Sequence, residues 1–505
     1  MTSEFNLLEE RWIPCQLLDG KREELGIFDL LARAPEIATL TAEMPMEKIS
    51  LVRLLLAILH RNFGPRSTLE WRSLWNKGEF DMRKLGDYFD QWRGHFNLFD
   101  EQYPFFQTRE IDAEVRSLID YCFHLGLFHL ASGNNATLFD HNTTENEIIL
   151  SAGQAARLII NTQSFAFGFR NFKDGPSARG VNFLLLGDNL FQTLMMNMIR
   201  YDEENPFYIS KEDRPYWEWE NPFKPERTKP AGYLDYLTWP SRKILIHPDE
   251  DGENALSWQV DIGLRLDINS EPFLKNPMMH YLKNESPTSN KAPYRPLKFE
   301  EGRAIWRDST SIMSIHSEKD EALRALKWTA DCLINLNKIR LDAIGISSDQ
   351  GKVNFYMEEM FAFPAVYLEN DALIGELKTC LEKAEEVRKS LWVAVNQMAE
   401  LFLSPDADYG GSRKADREEK QALMNHLLVE NHYWERLEVP FYQLLNTLPQ
   451  SGDEAWDEWE KKLCENAWFA FNTAADYLGS SPKALKARAK GGRVLGGSLK
   501  KLFNN

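Results

Sequence analysis

D-A-L-I-G-E-L-K-T-C-L-E-K-A-E-E-V-R-K-S-L-W-V-A-V-N-Q-M-A-E-L-F-L-S, residues 371–404, is the stretch on which the reading of the fold turns. Leucines at 373, 377, 381 and 391 recur at helical spacing among acids and lysines, so the run predicts one long amphipathic helix. Arg413–Leu445, Glu454–Leu478 and a more basic segment, Pro482–Leu502, follow with the same character. Pro405, Gly410, Gly411, Pro449, Gly452 and Gly479 punctuate them. Four helices with short connections predict an up-and-down four-helix bundle, residues 368–505.

Upstream the pattern is mixed. Met46–Phe63, with its core L-V-R-L-L-L-A-I-L-H, is apolar nearly all round and predicts a buried helix, with His60 a packed helix-end residue. Further helices are expected at Ser67–Lys77, Met82–Trp92, Ser151–Thr162, Phe183–Ile199 and Arg324–Leu341. Lys21–Ala34 reads as a strand turning into a helix at Gly26. Arg242–Asp267 alternates as a small antiparallel sheet does. Phe96–Gln107 and the tryptophan- and proline-rich Asp202–Pro240 read as irregular segments held by aromatic packing. The chain is therefore expected to be α+β: a large mixed domain with small antiparallel sheets, residues 1–367, followed by the bundle.

Composition narrows the function classes. A chain of 505 residues exceeds what one core supports. Its hydrophobic share of 43% and charged share of 27% are those of a globular protein. No run of eighteen apolar residues occurs and the N-terminus is polar and acidic, so neither a membrane span nor a signal peptide is expected. Five scattered cysteines without a C-x-x-C pair (Cys15, Cys122, Cys332, Cys380, Cys464) suggest reduced thiols and a cytoplasmic setting. The net charge of −17 argues against a free-standing DNA-binding protein, since phosphate contacts supply most of such a protein's affinity. It leaves room for local contacts, or for a reader within an assembly of basic partners. The tail Lys483–Lys501, K-A-L-K-A-R-A-K-G-G-R-V-L-G-G-S-L-K-K, is the obvious electrostatic footprint for a phosphate backbone.

Three stretches carry candidate binding residues. Ile344–Val353, I-G-I-S-S-D-Q-G-K-V, reads as a tight exposed turn. Gln350 at its tip offers both a donor and an acceptor to a groove, although spacing alone favours an ordinary polar hairpin tip. Gln163–Gly180, Q-S-F-A-F-G-F-R-N-F-K-D-G-P-S-A-R-G, interleaves Arg170, Lys173 and Arg179 with Phe167, Phe169 and Phe172. That mixture signals nucleic acid, and glycines 168, 175 and 180 let the backbone approach a partner closely. Leu130–Glu147 is polar but holds Leu138 and Phe139 at its centre, either as a stacking surface for a base or docked on its own body. Arg265 and Lys275 are basic residues near the end of the expected sheet, by default solvated charges.

Catalytic signatures are missing: no H-E-x-x-H, no G-x-S-x-G, no Walker sequence and no dinucleotide fingerprint. His124 and His129 are off the spacing that places two imidazoles on one helix face. A metal-dependent nuclease built from scattered acids and histidines is the remaining catalytic alternative.

With these loops in place, the chain resembles the CasA (Cse-one) family, the large subunit of the type I-E CRISPR surveillance complex, Cascade. The resemblance runs from F-N-L-L-E-E-R-W-I-P (5–14) through the leucine-rich helix at 51–60 and Y-P-F-F-Q-T (103–108). It continues through E-E-G-R-A-I-W-R-D (300–308) and S-D-Q-G-K-V (348–353) to the terminal bundle. It implies a non-catalytic reader that recognises the protospacer-adjacent motif (PAM) of double-stranded DNA through the minor groove and opens the adjacent pair. It implies as partners the guide RNA (crRNA), target DNA, the backbone, small and handle-binding subunits, and a helicase–nuclease. Gln350, with Asp349 and Ser348, falls at the family's glutamine wedge. Ala166, Phe167 and Gly168 fall at its glycine loop, where this chain has one glycine and relatives can have several. Leu138, Phe139, Asp140 and His141 match the loop that touches the 5′ handle of the guide. The lysine finger has two positional counterparts, Arg265 first and Lys275 second. The cysteine cluster of some relatives is missing, so neither zinc nor any cofactor is expected. A structural scaffold without direct PAM readout is the competing reading.

Overall fold

The computed structural model describes residues 4–111, 149–166, 174–202, 210–267, 275–284, 293–316, 322–333, 336–349, 352–404 and 415–503, with the backbone alone for 348–349 and 352–354. The chain is α+β and divides into two compact units, Met1–Glu301 with Ile315–Ala362, and Gly302–Ser314 with Phe363–Asn505. The sequence reading assigned 302–314 to the first domain.

The first unit is organised on the Pro45–Phe63 helix, which is buried continuously from Ile49 to His60. An apolar stretch without a polar face has no stable surface position, so other elements close around it. Two of its buried polar side chains, Arg53 and His60, reach backbone carbonyls. Arg53 donates to the carbonyls of Tyr236 (2.7 Å) and Leu237 (3.2 Å), its guanidinium over the Tyr236 ring. The His60 ring nitrogens lie 2.8 and 3.1 Å from the carbonyls of Leu56 and Ile199, and burial lowers its pKa to about 4. His60 is the packed helix-end residue expected.

Four small sheets are formed among the described residues. Strands β1 (Ile13–Leu17), β2 (Arg22–Leu25) and β3 (Ile37–Leu40) form one, in the order β2–β1–β3. Strands β4 (Leu150–Ser151), β6 (Arg242–Pro248) and β7 (Asn254–Ile262) form a second, in the order β4–β7–β6, with β5 lying between β4 and β6 in sequence. The β6–β7 register pairs Ile244 with Val260 and Ile246 with Trp258, the antiparallel ladder expected over Arg242–Asp267. β8 (Tyr281–Lys283) pairs with β9 (Tyr294–Pro296). The fourth sheet, in the order β11–β10–β5, joins β5 (Asn182–Leu185) to a long hairpin, β10 (Lys338–Asp349) and β11 (Lys352–Pro364). The aromatic segments pack together as expected: Phe96 stacks on Phe105 (5.4 Å), Phe106 on Tyr216 (4.5 Å), and Phe105 on Trp217 (6.3 Å).

Two expected helices are wrong in part. Phe183–Ile199 begins as strand β5, and a helix forms only at Leu190–Asn197, where the Asn189 side chain accepts from the Gln192 amide. Arg324–Leu341 is helical only to Cys332, after which Lys338 opens β10.

In the second unit, Asp371–Leu403 is one helix of 33 residues with its leucine stripe buried. Pro482–Phe503 lies so close to it that a Cβ at Gly491 would stand 3.0 Å from the Ala394 carbonyl. Gly452–Tyr477 docks through Trp459, whose indole donates to the Cys380 carbonyl (2.9 Å). The expected helix Arg413–Leu445 is instead three short ones, Arg417–Leu427, Val429–Glu435 and Glu438–Thr447. The first break is at Leu428, which takes a left-handed φ of 45°. Trp306 of the added segment stacks on Phe441 (4.5 Å), and Arg307 lies 3.8 Å from the Trp434 ring centre.

Candidate nucleic-acid interface

Strand β10 shows why this hairpin is stiff at its base. Ile339, Leu341, Ala343, Ile344 and Ile346 are all buried, and on β11 Phe361 and Phe363 are fully buried. Pairing with β5 runs from Leu341↔Leu185 to Ile344↔Asn182. Gly345 comes next, and a Cβ there would lie 3.2 Å from the Phe299 ring and 3.3 Å from the Gly180 carbonyl. The buried pattern ends at Ile346, and on the returning strand Tyr356 and Met360 are exposed. Ser348 and Asp349 close β10 and Lys352 opens β11. Gln350 sits in the connection between them, outside the described residues.

The loop expected to touch DNA joins this hairpin through its exit. Ala166 is the buried C-cap of the Ala152–Phe165 helix. The Gly175 amide donates to the Ala166 carbonyl (2.7 Å), and the Ser177 amide to the Ser164 carbonyl (2.9 Å). The two ends of segment 167–173 are thereby brought to one point. The chain then runs through Gly180 into β5 and so onto β10. Phe167, Gly168, Arg170 and Lys173 lie outside the described residues.

Two glycines expected to admit a partner serve internal contacts instead. A Cβ at Gly175 would stand 2.5 Å from the Ser164 carbonyl oxygen, and one at Gly180 would stand 2.6 Å from Pro296 Cβ. Arg179 pairs with Asp174.

The lysine-finger candidates differ in setting. Arg265 is exposed between the buried Leu264 and Leu266, in a strand extension whose backbone bonds to Pro240 and Thr228. Lys275 is 8% exposed, its ammonium 3.9 Å from the centre of the Tyr294 ring, so the solvated reading does not apply to it. Its neighbour Asn276 donates through Nδ2 to Asn182 Oδ1 (3.2 Å), on the strand that pairs with the hairpin. Leu138, Phe139, Asp140 and His141 lie outside the described residues.

One group escapes any sequence reading. Lys48, from the Pro45–Phe63 helix, places Nζ 3.0 Å from Asp342 Oδ2 on β10 and also bonds Glu358 Oε1 on β11. Partners 294 and 310 positions away leave no local signal.

Among the described residues no group of three or more His, Cys, Asp or Glu is placed to hold a metal. Burial raises the thiols of Cys15 to about 11 and of Cys332 and Cys380 to about 12, which keeps them protonated. No helix among the described residues is long and apolar enough to cross a membrane.

Comparison with known proteins adds a second line. The profile of the CRISPR-associated protein Cse1 family matches residues 6–470. A CRISPR-associated protein CasA/Cse1 from Thermus thermophilus is 30% identical over 516 residues, 97% of each chain. The crystal structure of Thermus thermophilus CasA superposes with a TM-score of 0.78 at 26% identity, covering 99% of this chain and 100% of that one. A chain of a CRISPR RNA-guided surveillance complex shares the fold, with a TM-score of 0.75 at 19% identity over 97% of this chain and 99% of that one.

Proposed function

The chain belongs to the CRISPR-associated Cse1 (CasA) family, and from that premise we propose that it is the PAM-reading large subunit of a type I-E Cascade surveillance complex. The observation that carries the reading is the hairpin. Its base is built into the core on β5 and the central helix, its connection is Gln350–Gly351, and the loop at 167–173 feeds directly into the strand beside it. A ribbon held at its base, with an amide at its end, is suited to enter a duplex beside the base pair it displaces, and insertion between base steps is a known way to unstack them.

In this reading the protein cuts nothing. Ala166, Phe167 and Gly168 face the minor groove, whose donor and acceptor pattern is degenerate, so several PAMs are tolerated. Gln350, supported by Ser348 and Asp349, holds the first pair apart, and pairing with the guide RNA then reads sequence. Arg170 and Lys173 contact phosphates. Lys275 is the better lysine finger of the two, because Asn276 ties it to the strand beside the hairpin, whereas Arg265 is anchored on a different segment. Leu138–His141 meets the 5′ handle of the guide. Basic residues of Pro482–Phe503 follow the DNA backbone. The opened complex then recruits the helicase–nuclease.

The test is reconstitution. A surveillance complex assembled without this chain should bind PAM-bearing and PAM-free duplexes alike, and adding the chain back should restore the preference. A preference that survives without the chain contradicts the proposal.

A further inference from the structure

A hairpin that opens a duplex must hold its direction. From Asp342 to Asp349, the last residue of β10, is seven residues, about 23 Å of strand. Of that length β5 braces only Asp342–Ile344. A two-stranded ribbon has little rigidity of its own. A rotation of about 5° at the base moves the far end by about 2 Å.

The Lys48 cluster stands at that base. Its ammonium is 19% exposed, Asp342 is 3% exposed and Glu358 is 33% exposed. Lys48 lies in the first turn of a helix that is buried continuously from Ile49 to His60, so the backbone that carries the ammonium is held by the core. The two carboxylates come from the two strands of one ribbon. We propose that Lys48 is a positioning residue for the duplex-opening hairpin, its ammonium tying Asp342 of β10 and Glu358 of β11 to one point and so setting the direction in which the Gln350 end projects. This inference rests on the proposed wedge role of Gln350.

The electrostatics show what the ammonium prevents. The charged groups facing Asp342 are Lys48 from the helix and Glu358 from β11. Burial raises the Asp342 carboxyl to about 6, Lys48 pulls it down and Glu358 pushes it up. Among the described residues Asp342 Oδ1 has no hydrogen-bond partner, and Lys48 is the cation that stabilises this carboxylate. Burial disfavours the charge on Lys48 itself, but the two carboxylates outweigh that effect and the net shift is upward. Without the ammonium, two carboxylates on neighbouring strands face each other unneutralised. At high pH they repel and open the base of the ribbon. As the pH falls, one takes a proton and donates it in a hydrogen bond to the other, and the strands close again.

The test uses the complete complex on a duplex with a fluorescent base analogue at the first pair beside the PAM. Opening is followed from about pH 8 down to about 6, where Asp342 titrates. Lys48→Met should assemble with its partners yet open the pair about 10- to 100-fold more slowly at the upper pH, and recover toward the wild type at the lower. Lys48→Arg should retain most of the activity, and Glu358→Gln should show an intermediate defect without the pH recovery. Gln350→Ala is the reference and should fail at every pH. If Gln350→Ala fails while Lys48→Met opens the pair like the wild type, the positioning role is wrong and the wedge reading stands. A Lys48→Met defect that ignores pH reduces Lys48 to packing and also overturns the inference. If Gln350→Ala opens normally, the wedge reading itself falls. Should Lys48→Met not assemble, Glu358→Gln decides, and normal opening by that variant overturns the proposal.

Discussion

Replacing Gly175 by alanine tests whether the loop proposed to face DNA is set by its closed ends. The added methyl would lie 2.5 Å from the Ser164 carbonyl oxygen and 2.7 Å from its carbon, both backbone atoms that cannot swing aside. Overpacking of this kind costs about 1–3 kcal/mol. Relieving it by moving the loop exit breaks two backbone bonds, Gly175 to Ala166 at 2.7 Å and Ser177 to Ser164 at 2.9 Å, at about 1 kcal/mol each. Either route costs about 1–3 kcal/mol, so the joined ends at Ala166 and Gly175 are expected to part while the core persists. Losing one element of base readout removes about 1–3 kcal/mol of discrimination, about 5- to 150-fold in affinity. Fluorescence anisotropy of the assembled complex on PAM-bearing and PAM-free duplexes measures that preference, and calorimetry of the isolated chain measures stability. Wild-type preference together with a wild-type unfolding temperature would refute the reasoning.

Gly86, inside the Met82–Trp92 helix, is the opposite case: nothing lies within 4 Å of an added Cβ. Gly86→Ala should therefore stabilise by about 0.5–1 kcal/mol, and a lowered unfolding temperature would contradict the helix's exposure there. His60 has a folded pKa near 4, below its ordinary value, so the unfolded chain binds the extra proton first. Its contribution is full at neutral pH and is lost as pH falls from about 6.5 through 4, up to about 3 kcal/mol. Burial raises Glu47 to about 7 and Asp213 to about 6, and these groups act the other way, so the pH profile of wild type minus His60→Gln is the quantity to measure; a flat difference would refute the account. Neutralising Arg170 and Lys173 together should lower the slope of log affinity against log salt by about 1.8, and an unchanged slope removes them from the phosphate contacts.

Periodicity revealed the long elements because burial there is one-sided or complete. The apolar run at 46–63 and the leucine stripe from 373 both appear as helices within a residue or two of the expected bounds. Where two patterns overlap, the reading failed. In K-I-R-L-D-A, residues 338–343, Ile339, Leu341 and Ala343 alternate as a strand does, but the charged residues between them also suit a helix, and pairing with β5 decides for the strand. In F-L-L-L-G-D-N-L, residues 183–190, the break was written as G-D-N, with Asn189 capping the Leu190–Asn197 helix. The piecewise path of 417–447 depends on a left-handed leucine, which no residue type advertises. Of the candidate site, the stretch read as a tight turn, Ile344–Val353, is mostly strand: Ser347, Ser348 and Asp349 belong to β10 and Lys352 opens β11, because pairing along a long hairpin overrides the turn preference of Ser and Asp. That the base of this hairpin is held by Lys48 was not legible either, because the contact exists only once the fold has formed.

The central claim is that an amide at position 350 parts a base pair. It is tested most directly by Gln350→Ala in the assembled complex, reading the fluorescence of a base analogue at the first pair beside the PAM. The account predicts a variant that takes its place among the other subunits, still finds the duplex, and leaves that pair stacked. A pair that unstacks at the wild-type rate would contradict it.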